Sequence, residues 1–269
     1  MLAGAGALLA GGLMYFAMRR PSHVSHSWKD SEHNNERYLT KNEAQDRASV
    51  VSDVSYKLAF ALVANKDSFH GHQTAKFTLA ANPTGDLFFD FKGRSISNLE
   101  INGVLLSTQR HADLFKSHKI RLPKDCLIKG ENIVKVAFHG EFVTDCQGMQ
   151  KYKDQVDETE YIYTMSEPFS AHRWFPCFDQ PDIKAPYELL VTASEGWTVV
   201  ATAAGEVLLN GAEQAAKDFG VTPDMQSSFD GKPYRTFQFK KSAKISTYLY
   251  CICAGPLACF EPVGANVDD

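Results

Sequence analysis

The chain has 269 residues, 44% hydrophobic and 22% charged, with a formal net charge of -4, which excludes a wholly disordered protein and suits one sizeable domain with appendages. Its 28 lysines and arginines are scattered rather than gathered into a stripe, so nucleic acid is excluded as a partner. The six cysteines show no C-x-x-C spacing, which argues against a structural zinc site and reads as buried free thiols in a reducing or mixed compartment.

Met1 to Met18 carry no charge and are closed by Arg19 and Arg20. As a helix rising about 1.5 Å per residue they reach roughly 27 Å, close to the apolar thickness of a bilayer. The positive charges follow the apolar run instead of preceding it, so residues 1–20 read as an uncleaved transmembrane helix rather than a secretory signal. The arginines set the folded domain on the cytosolic or matrix side. Ala3, Ala7 and Gly11 form a small-residue seam suited to a partner helix. Residues 21–50 are polar, mixed in charge and without apolar period, and read as a linker or a strap over a partner. His23, His26 and His33 within them lack a supporting cysteine or carboxylate pattern and read as solvated.

From Val51 onward, short apolar or alternating runs broken by turn residues predict an all-β, antiparallel sandwich over residues 51–263, with a tail at 264–269. The expected strands are Tyr56 to Ala64, Gln73 to Ala80, Leu87 to Phe91, Ile96 to Ile101, Lys119 to Leu122 and Asn132 to Phe142. They continue with Glu160 to Met165, Tyr187 to Ala193, Trp197 to Ala203, Tyr234 to Phe239 and Ser246 to Ala254. Phe69-His70-Gly71, Asn82 to Gly85, Asn102-Gly103 and Lys129-Gly130 supply turns, and Gly211 to Phe219 is the best helix. Cys251 and Cys253 project from one face of the last strand and sit too close along the chain to bridge readily.

The segment EPFSAHRWFPCFDQPDIKAP, Glu167 to Pro186, breaks this alternation. Pro176, Pro181 and Pro186 fix φ and extend the residue before each, which shapes an irregular segment. Asp179 suits a turn that accepts backbone N–H groups, and Arg173 is a candidate for a bidentate pair with it. Trp174, Phe175 and Phe178 offer large apolar area, so the block reads as a folding core element.

Glu167, Ala171, Arg173, Phe175, Pro176, Cys177, Asp179, Gln180, Pro181, Lys184 and Ala185 together resemble the signature that ends the N-terminal domain of M1-family zinc aminopeptidases, of the aminopeptidase N and puromycin-sensitive type. The resemblance spans roughly Val51 to Val263 and implies a saddle-like β-sandwich. Phe69-x-Gly71 is similar to a turn after the family's first strand, and Ile245 to Phe260 to the run closing its first domain. Glu167 falls where the family sets the residue that reaches the substrate's free α-amino group.

In that family zinc is held by a helical H-E-x-x-H, in which two histidines share one helical face and the Glu serves as base. Among the nine histidines here no two are four apart and none precedes Glu. The G-x-M-E-N motif of the catalytic domain is absent too. His70 and His72 are the nearest approach to a ligand pair. The sequence therefore reads as the N-terminal domain without its catalytic domain, with no catalytic residue, metal or cofactor of its own. Gly148-Met149-Gln150-Lys151 stands where the family commonly has G-F-Y-R, and Met165 replaces the usual Gln before the amine-binding position, so substrate handling is weakened. An exposed ion pair at Glu167 contributes about 0–1 kcal/mol, whereas even millimolar binding needs about 4 kcal/mol.

These readings lead to a non-catalytic, membrane-anchored accessory subunit of a larger complex, with the mitochondrial inner membrane as the expected site. Its partners are other protein subunits, engaged by the N-terminal helix and by the face that packs on the catalytic domain in M1 enzymes. The alternative is one half of a split aminopeptidase that contributes substrate amine recognition through Glu167. A free-standing peptide-binding module is the third reading, disfavoured by the ion-pair magnitude.

Overall fold

A computed structural model describes residues 39–83 and 85–260. The expected anchor at 1–20, most of the linker and the tail at 264–269 lie outside the described residues. Among the described residues no helix is long and apolar enough to cross a membrane.

The domain starts earlier than Val51. Helix α1, Lys41–Val50, occupies the end of the expected strap. Its helicity comes from a capping box and not from an apolar stripe: Thr40 Oγ1 accepts the Glu43 N–H at 3.3 Å, and Glu43 Oε2 accepts the Thr40 N–H at 2.9 Å, so two otherwise orphan donors are satisfied. Arg47 is its one buried side chain.

The chain then runs through β1 (Val51–Leu62), β2 (Ser68–Leu79), β3 (Leu87–Asp90), β4 (Ser95–Ile101) and β5 (Val104–Leu105). Helix α2 (Thr108–Leu114) leads to β6 (Phe115–Lys116), β7 (Lys119–Leu122), β8 (Gly130–Glu141), β9 (Gly148–Lys153) and β10 (Glu160–Met165). After the signature come β11 (Tyr187–Ser194), β12 (Thr198–Ala201), β13 (Gly205–Val207), α3 (Ala212–Asp218), α4 (Pro223–Ser227), β14 (Tyr234–Phe239) and β15 (Ile252–Gly255).

Eight strands form one sheet in the order β13-β14-β11-β1-β2-β8-β4-β5, four form a second, β12-β15-β10-β9, and three a third, β3-β7-β6. One hydrophobic cluster joins the inner faces of all three: Leu58 and Phe60 of the large sheet pack with Ile162 and Ile252 of the second and Phe89 and Ile120 of the third. This is a sandwich of open sheets.

The expectation of a purely antiparallel sheet needs one correction, because β1 and β11 pair in parallel, Tyr56 opposite Tyr187 through Leu62 opposite Ala193. Parallel pairing suits strands covered on both faces. The outer residues Ala59, Ala61, Val63 and Leu190 are buried by Phe219, Met225 and Phe229 from the α3–α4 region.

A second correction concerns Phe69-His70-Gly71, which lies inside β2 and is no turn. Phe69 stands opposite Gly140 and Gly71 opposite Phe138, so each ring lies over the glycine across the ladder. A Cβ on Gly71 would meet the Phe138 ring at 2.2 Å. The glycine is therefore required by packing, not by chain reversal. The Asn102-Gly103 turn does form, with positive φ at both residues and Ile101 opposite Val104, as a two-residue hairpin demands.

The last expected strand, Ser246 to Ala254, is shorter. Thr247–Leu249 form a 3-10 turn before β15 begins, because Thr247 and Tyr250 are drawn to the signature segment.

Candidate functional site

The signature follows β10 as an irregular strand-free segment, with a 3-10 turn at Ala171–Arg173. Every residue from 170 to 180 is buried, and Trp174, Phe175, Cys177 and Phe178 are inaccessible to solvent. Two main-chain bonds tie Cys177 to Asp90 at the end of β3, Asp90 N–H to Cys177 C=O at 2.8 Å and Cys177 N–H to Asp90 C=O at 3.1 Å. Tyr56 of β1 accepts the Phe178 N–H at 3.0 Å, and Trp174 Nε1 donates to Ser166 Oγ at 2.9 Å. The Phe175 and Tyr187 rings both stack on Tyr250, at 5.7 and 4.0 Å between centroids.

The buried side chains of Asp179 and Gln180 are committed to partners within the block and on distant elements. Asp179 accepts from the His172 N–H at 3.0 Å and from the Thr247 hydroxyl at 3.0 Å, and lies 2.7 Å from His172 Nδ1. Gln180 Oε1 accepts from Arg47 Nε at 3.1 Å while its Nε2 donates to the Ala44 carbonyl at 3.0 Å. Ser246 donates to the Pro181 carbonyl at 2.6 Å. Pro176 is buried, whereas Pro181 and Lys184 are exposed.

The expected Arg173–Asp179 pair does not form. Arg173 donates instead to Asp145 Oδ2 at 2.6 Å and to Gln147 Oε1 at 2.8 Å. Asp179 is already filled by donors nearer in the fold. Gly148, with φ +87, opens β9 against Arg173, where a Cβ would lie 2.7 Å from the arginine Cβ. The departure at Gly148–Lys151 thus forms an edge strand, β9, that backs the arginine.

Burial pushes the Cys177 thiol and the Tyr56 hydroxyl well above their ordinary ranges, so both stay protonated and unreactive. Only Cys177 among the six cysteines is buried; Cys126, Cys251 and Cys253 are intermediate, and Cys146 and Cys259 are exposed. The expectation of buried thiols holds for one residue, because Cys251 and Cys253 occupy the outward face of the second sheet.

Glu167 is exposed just beyond β10. Met165 and Tyr163 before it are exposed too, at 49% and 38%, and Val200 and Leu249 on the same sheet face or its rim are 52% and 49% exposed. Of the histidine pair, His70 stacks on His139 with centroids 4.4 Å apart, and His72 is buried against Gly220. Burial holds the imidazoles of His70 and His72 below the usual histidine range. Among the described residues no group of three His, Cys, Asp or Glu side chains is placed to hold a metal ion.

Sequence reasoning missed Arg47, Asp90, His172 and Tyr56 as members of this site. Their partners lie up to 133 residues away, and the only local signal was the T-x-x-E of Thr40 and Glu43 that marks α1 as a helix.

An open β-sandwich built around a buried, proline-framed aromatic signature defines the class of domain. The peptidase M1 N-terminal domain family matches residues 52–249, and the chain belongs to it. Aminopeptidase N of Streptomyces lividans is 28% identical over 220 residues, 81% of this chain and 22% of that protein. Aminopeptidase N of Acetobacter pasteurianus is 22% identical over 229 residues, 80% of this chain and 59% of the relative. A probable M1 family aminopeptidase 1 of Encephalitozoon cuniculi is 26% identical over 132 residues, 49% of this chain and 13% of its own length. The chain thus spans only part of each relative.

Proposed function

We propose that this chain is a non-catalytic, membrane-anchored M1 N-terminal-type domain that serves as an accessory subunit of a larger protein complex. The observation that carries this reading is the outward face of the second sheet, where Tyr163, Met165 and Val200 stand exposed with Leu249 beside them. Arg173, Asp179 and Gln180 of the signature are spent on internal bonds, which favours an architectural role for the buried part of that segment. An exposed apolar patch of this kind favours a protein partner.

Magnitudes decide what else is needed. Completing the burial of four half-exposed side chains contributes on the order of 3–6 kcal/mol, whereas association costs about 4 kcal/mol or more. The face alone is a marginal contact. A second contact through residues 1–20 would confine both partners to one membrane and raise the effective concentration. The uncharged run closed by Arg19 and Arg20 supports that span, and the proposal extends to the mitochondrial inner membrane.

A tagged full-length chain extracted from its membrane in detergent should bring down partner polypeptides in fixed ratio, and Val200→Asp combined with Met165→Asp should release them while the domain stays folded. A solitary monomer, or a complex indifferent to those changes, overturns the reading. Zinc-dependent cleavage of aminoacyl amides by this polypeptide alone overturns its non-catalytic part.

The exposure of Glu167 beside the same face favours one second reading, in which the carboxylate binds a substrate amine for a catalytic domain supplied by the partner. In that case Glu167→Gln lowers turnover by the intact complex and leaves assembly unchanged. Unchanged turnover removes it.

A further inference from the structure

We propose that Cys251 and Cys253 form a two-thiolate site for a single soft monovalent cation, copper(I), on the outward face of the second sheet. Their sulfurs lie 3.9 Å apart. The buried side chains of Ile252 and Ala254 fix the alternation that turns both cysteines outward. Cys253 stands opposite Tyr163 on one side and Val200 on the other. The Cys251 N–H donates to Thr202 Oγ1 at 2.9 Å and the Ile252 N–H to Thr164 Oγ1 at 3.0 Å, so the main chain between the sulfurs is held by β10 on one side and by the residue just after β12 on the other. The pair is half-buried and reachable by solvent.

This spacing favours an inserted atom over a direct bond. Residues two apart on an extended chain have Cα atoms about 6.6–6.8 Å apart, at the far end of the roughly 4.4–6.8 Å that disulfides tolerate. Two metal–thiolate bonds of about 2.3 Å place the sulfurs about 4.6 Å apart in the linear arrangement that two-coordinate copper(I) prefers, so a small rotation of the two cysteine side chains opens the 3.9 Å separation to admit the ion without moving the strand. Zinc needs four ligands, and among the described residues no third His, Cys, Asp or Glu joins the pair. A soft ion content with two thiolates remains, and thiolate ligands select copper(I).

On binding, two S–H bonds break, two S–Cu bonds form, two protons pass to solvent and copper stays at +1. No oxidant is required.

The test uses the full chain in detergent under anaerobic, reducing conditions, with Cys146→Ser and Cys259→Ser removing the exposed thiols. Titration against a copper(I)–bicinchoninate complex should show one copper withheld per chain. Cys251→Ser or Cys253→Ser should each weaken retention by about 100-fold or more, the loss expected when a two-point attachment becomes one-point. Copper should also protect both cysteines from alkylation, read by mass spectrometry on the unsubstituted protein, so the result does not depend on a variant folding. Retention unchanged in the Cys251→Ser/Cys253→Ser double variant, alkylation of both residues unaffected by copper, or an X-ray absorption shell of four sulfurs would each overturn the site.

Discussion

The guanidinium of Arg47 on α1 and the carboxylate of Asp90 at the end of β3 meet at 2.8 Å, with side chains 2% and 6% exposed. The Phe88 and Phe178 rings lie 5.0 and 5.5 Å from the same guanidinium. Burial pushes the Asp90 carboxyl up although Arg47 pulls it down, so the charged pair is held at a desolvation cost. It fixes where α1 docks against the signature more than it adds stability.

Removing both partners should therefore cost less than the two single losses added together. Arg47→Met is expected to lose about 3–5 kcal/mol in urea unfolding, whereas Arg47→Met combined with Asp90→Leu should lose clearly less than the sum of the single changes. A loss below about 1 kcal/mol for Arg47→Met would mean that the helix does not depend on its arginine.

The facing pair Gly71 and Phe138 makes a prediction of the opposite kind, because here the damage comes from added volume. A methyl group on Gly71 would collide with the ring. Gly71→Ala should destabilise by about 1–3 kcal/mol, and Phe138→Leu should relieve part of that loss when the two are combined. Simple additivity in the double-mutant cycle would place the ring elsewhere.

Acid sensitivity should appear at the start of α1. Burial alone would raise the Glu43 carboxyl, yet the Thr40 N–H, the Thr40 hydroxyl and the Lys119 ammonium at 2.9 Å together hold it down at about 2. A depressed carboxyl contributes stability that is present above its unfolded value near 4.5 and is lost as pH falls toward 2. The Glu43 side chain keeps 24% of its surface exposed, so solvent screening limits Glu43→Gln to a loss of about 0.5–1 kcal/mol at pH 7. The gap between the two proteins in urea unfolding should narrow between pH 4.5 and pH 2, and a gap that widens with acid would contradict the capping geometry.

Strand positions were legible wherever alternation was local. Lys119–Leu122, Glu160–Met165 and Tyr234–Phe239 have the expected bounds, and Gly211 to Phe219 holds α3. What could not be read is what long-range packing decides. Phe69-x-Gly71 resembles a turn in sequence, but the ring of Phe138, 67 positions on, is what needs the glycine. Arg173 has an acid six residues away in Asp179 and pairs with Asp145 across the β9 edge instead. Helix α1 has no apolar period, so its single buried contact through Arg47 was invisible until Asp90 and Gln180 were brought beside it. At the site, the aromatic burial of the signature followed from residue type, whereas the direction of each polar bond depended on which distant donor arrived.

Asp179 and Glu167 separate scaffold from surface within one segment. Asp179→Ala strands the His172 N–H and the Thr247 hydroxyl in a dry interior, and an orphaned buried donor costs about 1–3 kcal/mol. With the facing His172 ring also deprived of its acceptor, a total loss of about 3 kcal/mol or more is expected, read by chemical denaturation. Asp179→Asn should lose only about 1 kcal/mol, because its amide oxygen still accepts at the His172 side while its NH2 can donate to the Thr247 hydroxyl. Glu167→Gln, on an exposed position, should shift stability by less than about 0.5 kcal/mol. If Glu167→Gln destabilises the fold as much as Asp179→Ala does, the exposed carboxylate is part of the architecture and no longer a candidate for meeting a substrate or partner.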